Sequence, residues 1–421
     1  MDPVGQELSL PVSPAAPVSP AARVDRAGEV LSLIRGGRAR TIGELAAAMN
    51  LARSTVAQRV SHLVADGLVV AGPVGQAGSQ TGSTTGRGRP AAILQFNTGA
   101  GVVLVAQLGM TGARVAVADL GGALLAERFE PFPIESGPEA VIGHLEQSLI
   151  EVLAAAGRRR AEVRGLGIGV PGSIDLSDTS TPSAARWDRF PVGGRLQAAF
   201  GVPAFVDNDV NLLALGEQRS AWPGTDVLLC VKVGSVIGCG MVINGEVVRG
   251  TQGVAGNIGH IAVPGDTTPC VCGNLGCLDA VAGGRALVTR LQAAGLPVRD
   301  VPHLVALARE GVPEAAQAVR VAGRQIGEVL AYAVNLLNPG VVAVWGYLAD
   351  VEAELLAGIR ESVYQRSLPS MTQSLQLVRA RLGDEAGLVG AATLVVSQIL
   401  RPEMVDEYLA ARAPARVPAQ A

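Results

Sequence analysis

Three of the five cysteines fall within eight residues of one another: Cys270, Cys272 and Cys277, with His260 a short way upstream. Three thiolates and an imidazole are the donor set of a closed tetrahedral zinc site. Gly273 and Gly276 between them permit the tight turns that convergence of the ligands needs. The competing reading is a loop of buried free cysteines, which the clustering disfavours. Four protein ligands leave no open position, so a metal held here is predicted to be structural and not catalytic. A second constellation is Asp207-Asn208-Asp209-Val210-Asn211, placed after an apolar strand-like segment and opening a helical one. Two roles stay open for it. A carboxylate at a strand end facing a cleft can take a proton from a substrate hydroxyl during phosphoryl transfer. Alternatively, Asn208 or Asp209 simply caps the helix.

A third constellation is basic. Residues 23–90 hold nine arginines against four acids, whereas the rest of the chain is acidic and the net charge is −3. A basic segment ahead of an acidic body is the pattern of a small nucleic-acid-binding module on a larger domain. The spacing predicts a helix over 26–35 ended by Gly36-Gly37. A second begins at Thr41, with Glu44 completing a capping box. A third covers 53–66, with Val56, Val60, Leu63 and Val64 on its buried face. Leu68-Val69-Val70 reads as a strand. These elements make a winged helix-turn-helix over 23–92, with a flexible wing over 73–90. Arg53, Ser54, Thr55, Gln58 and Arg59 lie on the early, outward face of the third helix. Arg and Gln there pair with base edges, while Ser and Thr position phosphates. Arg87 and Arg89 sit in an extended Gly-Arg-Gly-Arg-Pro segment suited to a narrow minor groove.

The body, over 93–421, reads as α/β. Strands are predicted at 102–108, 113–120 and 123–132, a helix at 138–155, and strands at 165–170 and 202–206 leading into a helix over 208–219. The pattern restarts with strands at 227–233, 240–243 and 246–249, followed by helices over 285–293, 314–337 and 351–364. Two β-β-β starts imply two lobes of related build with a cleft between them, a common place for ligands. Residues 1–22, rich in Pro, Ala and Ser, read as a disordered tail. With 421 residues, 48% apolar and 17% charged, the chain can bury sizeable cores. No apolar run reaches the roughly 18 residues of a membrane span, and the first residues lack the features of a signal peptide. A soluble cytoplasmic protein with no membrane partner is the expectation. Lys232 is the single lysine among 34 basic residues; codon bias accounts for such a composition, and no function is read from it at this point.

These residues resemble the ROK family of repressors, open reading frames and sugar kinases, from about residue 25 to 398. The likeness is carried by Gly256-Asn257-Ile258-Gly259-His260 with Cys270-Val271-Cys272-Gly273-Asn274-Leu275-Gly276-Cys277-Leu278-Asp279. It continues in Gly169-Val170-Pro171-Gly172, Asn208-Asp209-Val210-Asn211, Asn338-Pro339 and the run from Ala386 to Ala392. The resemblance implies a two-lobed, actin-like sugar-kinase fold. It makes Asp209 the catalytic base, and it puts Asn208, His260 and Asp279 on a sugar. His260 would then serve both zinc and ligand.

The departures point away from catalysis. The family's first phosphate loop, Asp-x-Gly-x-Thr, is Gln107-Leu108-Gly109-Met110-Thr111, which removes a carboxylate that manages Mg²⁺-bound phosphate. The second loop carries Val236 where backbone should approach phosphate, and Trp345 and Tyr347 stand on the adenosine side. ATP binding is therefore expected to be lost and Asp209 to be vestigial. On the sugar side Asn257, Asp279 and Ser183 replace Glu, Glu and Asn. The expectation is a transcriptional repressor that binds a palindromic operator as a homodimer or homotetramer. Its degenerate kinase body would sense a small carbohydrate-like effector. The competing reading is an active ATP-dependent hexose kinase; a third is a thiol redox sensor.

Overall fold

The computed structural model describes residues 26–72, 92–110, 112–172 and 190–412. The expected tail, Arg87, Arg89 and Ser183 lie outside them. The chain forms two compact units: one of the residues up to Phe96 together with those from Leu400 onward, the other spanning Asn97–Ile399.

The first unit opens with α1 (Ala27–Arg35), α2 (Ile42–Met49) and α3 (Arg53–Ala65). Thr41 and Glu44 form the reciprocal capping box that the sequence predicts at the start of α2. Strand β1 (Val69–Gly72) pairs antiparallel with β2 (Ile93–Phe96), from Val69 opposite Phe96 to Gly72 opposite Ile93. The wing thus needs residues up to 96, and the boundary expected at 92 moves past β2.

The second unit contains two five-stranded sheets of the same design. In the first lobe, β3 (Val102–Leu108), β4 (Gly112–Asp119) and β5 (Leu124–Pro131) form an antiparallel meander. Helix α4 (Pro138–Ala155) leads to β6 (Val163–Val170), and α5 (Val192–Phe200) leads to β7 (Ala204–Asn208). These two strands add in parallel, giving the order β5-β4-β3-β6-β7. Helix α6 (Asp209–Ala221) follows. In the second lobe β8 (Val227–Val233), β9 (Ile237–Ile243) and β10 (Glu246–Val247) repeat the meander. Short helices α7 (Leu278–Ala282), α8 (Gly284–Ala293) and α9 (Val301–Arg309) precede the long α10 (Pro313–Leu337). Strand β11 (Val341–Trp345), helices α11 (Glu352–Arg366) and α12 (Pro369–Thr372), and β12 (Gln376–Arg379) complete the order β10-β9-β8-β11-β12. Helix α13 (Ala386–Ile399) closes the unit. The central parallel strand β11 reads as a continuous apolar run, buried along nearly its whole length.

Helices α6 and α13 touch backbone to backbone. A β-carbon on Gly216 would stand 2.0 Å from the Ala386 carbonyl oxygen, and one on Gly390 would stand 1.9 Å from that of Leu212. Two turns along α6 from Asp209, Glu217 is fully buried, and its Oε1 accepts the Leu382 N–H at 2.7 Å. Burial pushes its carboxyl above the ordinary 4.5, against the pull of that N–H. The native state holds this proton more tightly than the unfolded chain does. Stability therefore falls as pH rises from 4.5 through the native value. Glu217→Gln is expected to flatten that fall; thermal midpoints measured across the window check it, and an unchanged slope would sink it.

The last helix, α14 (Pro402–Arg412), belongs to the first unit and packs on α1. Its Val405 and Leu409, one turn apart, are buried. Asp406 Oδ1 accepts the Gly28 N–H at 2.8 Å, and a β-carbon on Gly28 would meet the Pro402 carbonyl oxygen at 2.1 Å. Tyr408 donates its hydroxyl to Asp66 at 3.2 Å, and Arg412 pairs with the same carboxylate. The sequence reading gave these residues to the body; the structure gives them to the helix-turn-helix unit. Among the described residues no single helix is long and apolar enough to cross a membrane.

Candidate functional site

The parallel register of β6 and β7 sets Gly169 beside Asp207 and Val170 beside Asn208, so the acidic segment emerges at the carboxyl end of the strands. Open α/β sheets place ligands at that end. Asn208 caps α6, its side chain accepting the Val210 N–H at 2.9 Å. Asp209, the next residue, is left out of capping. Of the two roles read from the sequence, Asn208 takes the cap and Asp209 keeps its carboxylate for other work.

Asp207 is fully committed. Its Oδ1 accepts the Asn208 N–H and the Asn211 amide, each at 2.8 Å, and its Oδ2 accepts two Arg249 N–H groups at 2.9 and 2.6 Å. It ties the segment after β10 to the end of β7. The buried Asp209 carboxylate forms an ion pair through Oδ2 with Lys232 Nζ, from β8. Gln107, at the end of β3, donates from Nε2 to the Asp209 carbonyl at 3.5 Å. Its amide oxygen is wedged where β-carbons on Gly169 and Gly387 would fall, 2.4 Å from each.

The start of β9 joins this half of the site to the other. A β-carbon on Gly238 would lie 3.2 Å from Val210 Cγ1 of α6, and the Ile237 N–H donates to Asp279 at 2.8 Å. Burial raises the Asp279 carboxyl above its ordinary range, opposed by the Ile237 N–H and by the charges of His260 and Arg285. A single 3₁₀ turn, Ile258–His260, follows Asn257 and ends in His260. Gly256, at φ 90°, admits no side chain there, because a β-carbon would sit 1.8 Å from the Cys239 carbonyl oxygen.

His260, Cys270, Cys272 and Cys277 converge, their ligand atoms all within 4.8 Å of one another. Cys270 Sγ is 3.7 Å from His260 Nδ1, and Cys272 Sγ is 3.6 Å from Cys277 Sγ. A tetrahedron with Zn–S of about 2.3 Å has edges of about 3.8 Å, so the spacing fits zinc. The loop is folded by bridges pairing Ala262 with Cys277 and Pro269 with Leu275. Gly276, at φ 70°, passes so close to the Asp266 carbonyl that a β-carbon would lie 2.3 Å away. Burial, with the neighbouring thiols, pushes the Cys277 thiol up to about 12. A dication is what lets three adjacent thiols ionise together. The cluster can hold a metal such as zinc.

In the first unit α3 exposes Arg53, Ser54 and Gln58 and half-buries Thr55. Arg59 does not share this face: it is only 8% exposed, and its Nη1 is buried. Val64 is 42% exposed instead of buried. Helical rotation alone does not separate the two. At about 100° per residue, positions 59 and 64 lie about 40° beyond opposite edges of the stripe of 56, 60 and 63, and the packing around α3 buries the first side and leaves the second open. Ser61 and His62 join the outward face; the same rotation would have found them.

The profile of the ROK family matches residues 103–398. The chain belongs to the ROK family. The IclR helix-turn-helix domain profile matches residues 23–73 of this ROK chain. A putative xylose repressor of Caldicellulosiruptor sp. (strain Rt8B.4) is 26% identical over 387 residues, 88% of this chain and 95% of the repressor. A glucokinase of Streptomyces coelicolor is 30% identical over 70% of this chain and 97% of the kinase. The crystal structure of a ROK family transcriptional regulator, a homologue of the E. coli MLC protein, superposes with a TM-score of 0.74 at 26% identity. It covers 92% of this ROK chain and 99% of the regulator. The fold is thus the actin-like sugar-kinase fold of the ROK family with a helix-turn-helix in front. Lys232 and Arg249 are the site residues that sequence reasoning missed. Lys232 carried a visible signal as the only lysine; Arg249, one of many arginines, carried none.

Proposed function

We propose that this ROK chain is a DNA-binding transcriptional repressor whose kinase-like body binds a small carbohydrate-like effector. The observation that carries the reading is the union of a helix-turn-helix unit with a body whose phosphate side is altered. Gln107 supplies an amide where the family kinases have a carboxylate, and that amide is folded onto the Asp209 backbone. Val236 is 40% exposed on the second loop. Trp345 donates to the Gly383 carbonyl at 2.8 Å beside the half-exposed Tyr347. These features support loss of ATP binding and of turnover. Asn208, Asp209, Asn257, His260 and Asp279 would face the effector, together with Ser183. His260, Cys270, Cys272 and Cys277 would hold a structural zinc, whose chemistry is to tie the loop together.

On DNA, Arg53 and Gln58 read base edges while Ser54 and Thr55 set the phosphates; Arg87 and Arg89 enter the minor groove. A homodimer or homotetramer in the cytoplasm would span a palindrome with half-sites about 34–36 Å apart. The effector alters operator affinity only to the extent that it binds the two states unequally, and the coupling is reciprocal. Mapping bound DNA across the native genome tests the reading, with a sharp set of palindromic sites as the expected result. Arg53→Ala or Gln58→Ala is expected to weaken operator binding roughly 10- to 100-fold, as about 1–3 kcal/mol per base contact implies. Absence of specific sites, with ADP formed from ATP and a hexose by the purified chain, favours the kinase reading that the retained Asp209 keeps alive.

A further inference from the structure

We propose that Lys232 is a ligand-reading residue of the effector site. With Asp209 it forms a donor–acceptor pair that recognises one hydroxyl group of a neutral, polyhydroxylated ligand. The proposal rests on the effector reading above and deepens it.

The first ground is chemical selection within the chain. Thirty-three of the 34 basic residues are arginine, and the other ion pairs of the fold, Arg249 on Asp207 among them, use it. The one lysine stands on the one carboxylate left out of capping at the strand end. A guanidinium is a wide planar fork, whereas an ammonium is a compact point donor with three hydrogens. The ammonium meets one carboxylate oxygen with one hydrogen and aims the other two from the same compact point, whereas Arg249 spends two donors on one oxygen of Asp207.

The second ground is burial. The side chains are 16% and 5% exposed, so this is not a surface pair loosely held in water. A buried pair is costly to desolvate and weak as a stabiliser, which leaves its presence to be explained by function. The third ground is capacity. Among the described residues the pair engages one ammonium donor and one carboxylate oxygen. What is left is a donor beside an acceptor. A hydroxyl group both donates and accepts, and it is the complement of that arrangement. The fourth ground is charge. Asp207 is matched by Arg249 and Asp209 by Lys232, so the strand-end floor offers no spare cation to a phosphate or carboxylate. A carboxylate shared with an ammonium can also hold a hydroxyl without taking its proton.

The single lysine makes the test direct. Because Lys232 is the single lysine, expression with ¹³C,¹⁵N-lysine labels that side chain alone and leaves its three ammonium hydrogens in place. The full-length chain is titrated with D-xylose, D-glucose, D-mannose, D-galactose and N-acetyl-D-glucosamine, by calorimetry and by the Lys232 Cε and Nζ resonances. The expected result is that a sugar which binds moves the Lys232 signal. Lys232→Met should weaken that sugar roughly 10- to 100-fold, the range for a hydrogen bond to a charged group. One monodeoxy analogue of the sugar should lose affinity to the wild type and bind the variant no worse than the parent sugar does. If Lys232→Met does not fold, the resonance in the wild-type chain decides alone. A sugar that binds without moving the resonance overturns the role of Lys232 and leaves the effector reading standing. Binding of none of the five sugars brings down the effector reading, and this proposal with it.

Discussion

Replacing Cys277 with alanine is expected to release the bound metal and to lower the thermal midpoint of the body by about 10 °C or more. Cys277 is the fully buried member of the four-residue cluster. It also directly precedes α7, whose first turn carries Asp279 and, through it, the start of β9. Free energy of zinc binding becomes folding free energy where the ligands are disordered without the ion. Loss of a metal belongs to the small class of changes that cost about 4 kcal/mol or more. Removing the thiol therefore does more than loosen a surface loop, because it frees the start of the helix that carries Asp279, a residue of the proposed effector site. Metal analysis of the purified chain should give one zinc per protomer in the wild type and none in the variant, and sugar affinity should fall in parallel. A wild-type chain purified without zinc, together with a variant of unchanged midpoint, would refute the assignment.

Ending the chain at Arg401 is expected to abolish operator binding while the body still melts as a folded unit. The truncation removes Val405 and Leu409, whose burial contributes about 1.5–3 kcal/mol each. It also removes the acceptor of the Gly28 N–H and two partners of Asp66. A unit this small has only several kcal/mol in hand, so the loss is comparable with its whole stability. Calorimetry should show the small unit's transition disappear and the large one persist. Fluorescence anisotropy with an operator duplex should show at least a tenfold loss of affinity. Leu409→Asp, which leaves the backbone intact, should reproduce most of the effect. A truncated chain that binds as tightly as the full one would show that α14 is a passive appendage.

What the sequence made legible was local. The His260, Cys270, Cys272 and Cys277 cluster and the capping box of α2 are close in the chain, and their residue types have few other uses. The repeat of two meanders was visible because each strand is a self-contained apolar run. The losses were non-local. Nothing in residues 402–412 says that their partner is a helix more than 350 positions earlier. Arg59 reads as a DNA contact by type, and only the tertiary packing on its side of α3, which the chain does not spell out locally, buries it. The pairing of Lys232 with Asp209 needs two strands and a helix to meet. Composition flagged that lysine without giving it a place.

Assembly of the first unit from both ends of the chain also orders events during synthesis. A chain grows from its amino terminus at about 5–20 residues per second. Helices α1 to α3 emerge early, but the helix that covers α1 leaves the ribosome more than 350 residues later. The body can therefore be made and folded while the DNA reader still lacks part of its core. On the proposed reading, a chain that stops before α14 leaves the helix-turn-helix unit with part of its core uncovered and yields no competent competitor for the operator. Synthesis of α14 thus becomes the licence for operator binding.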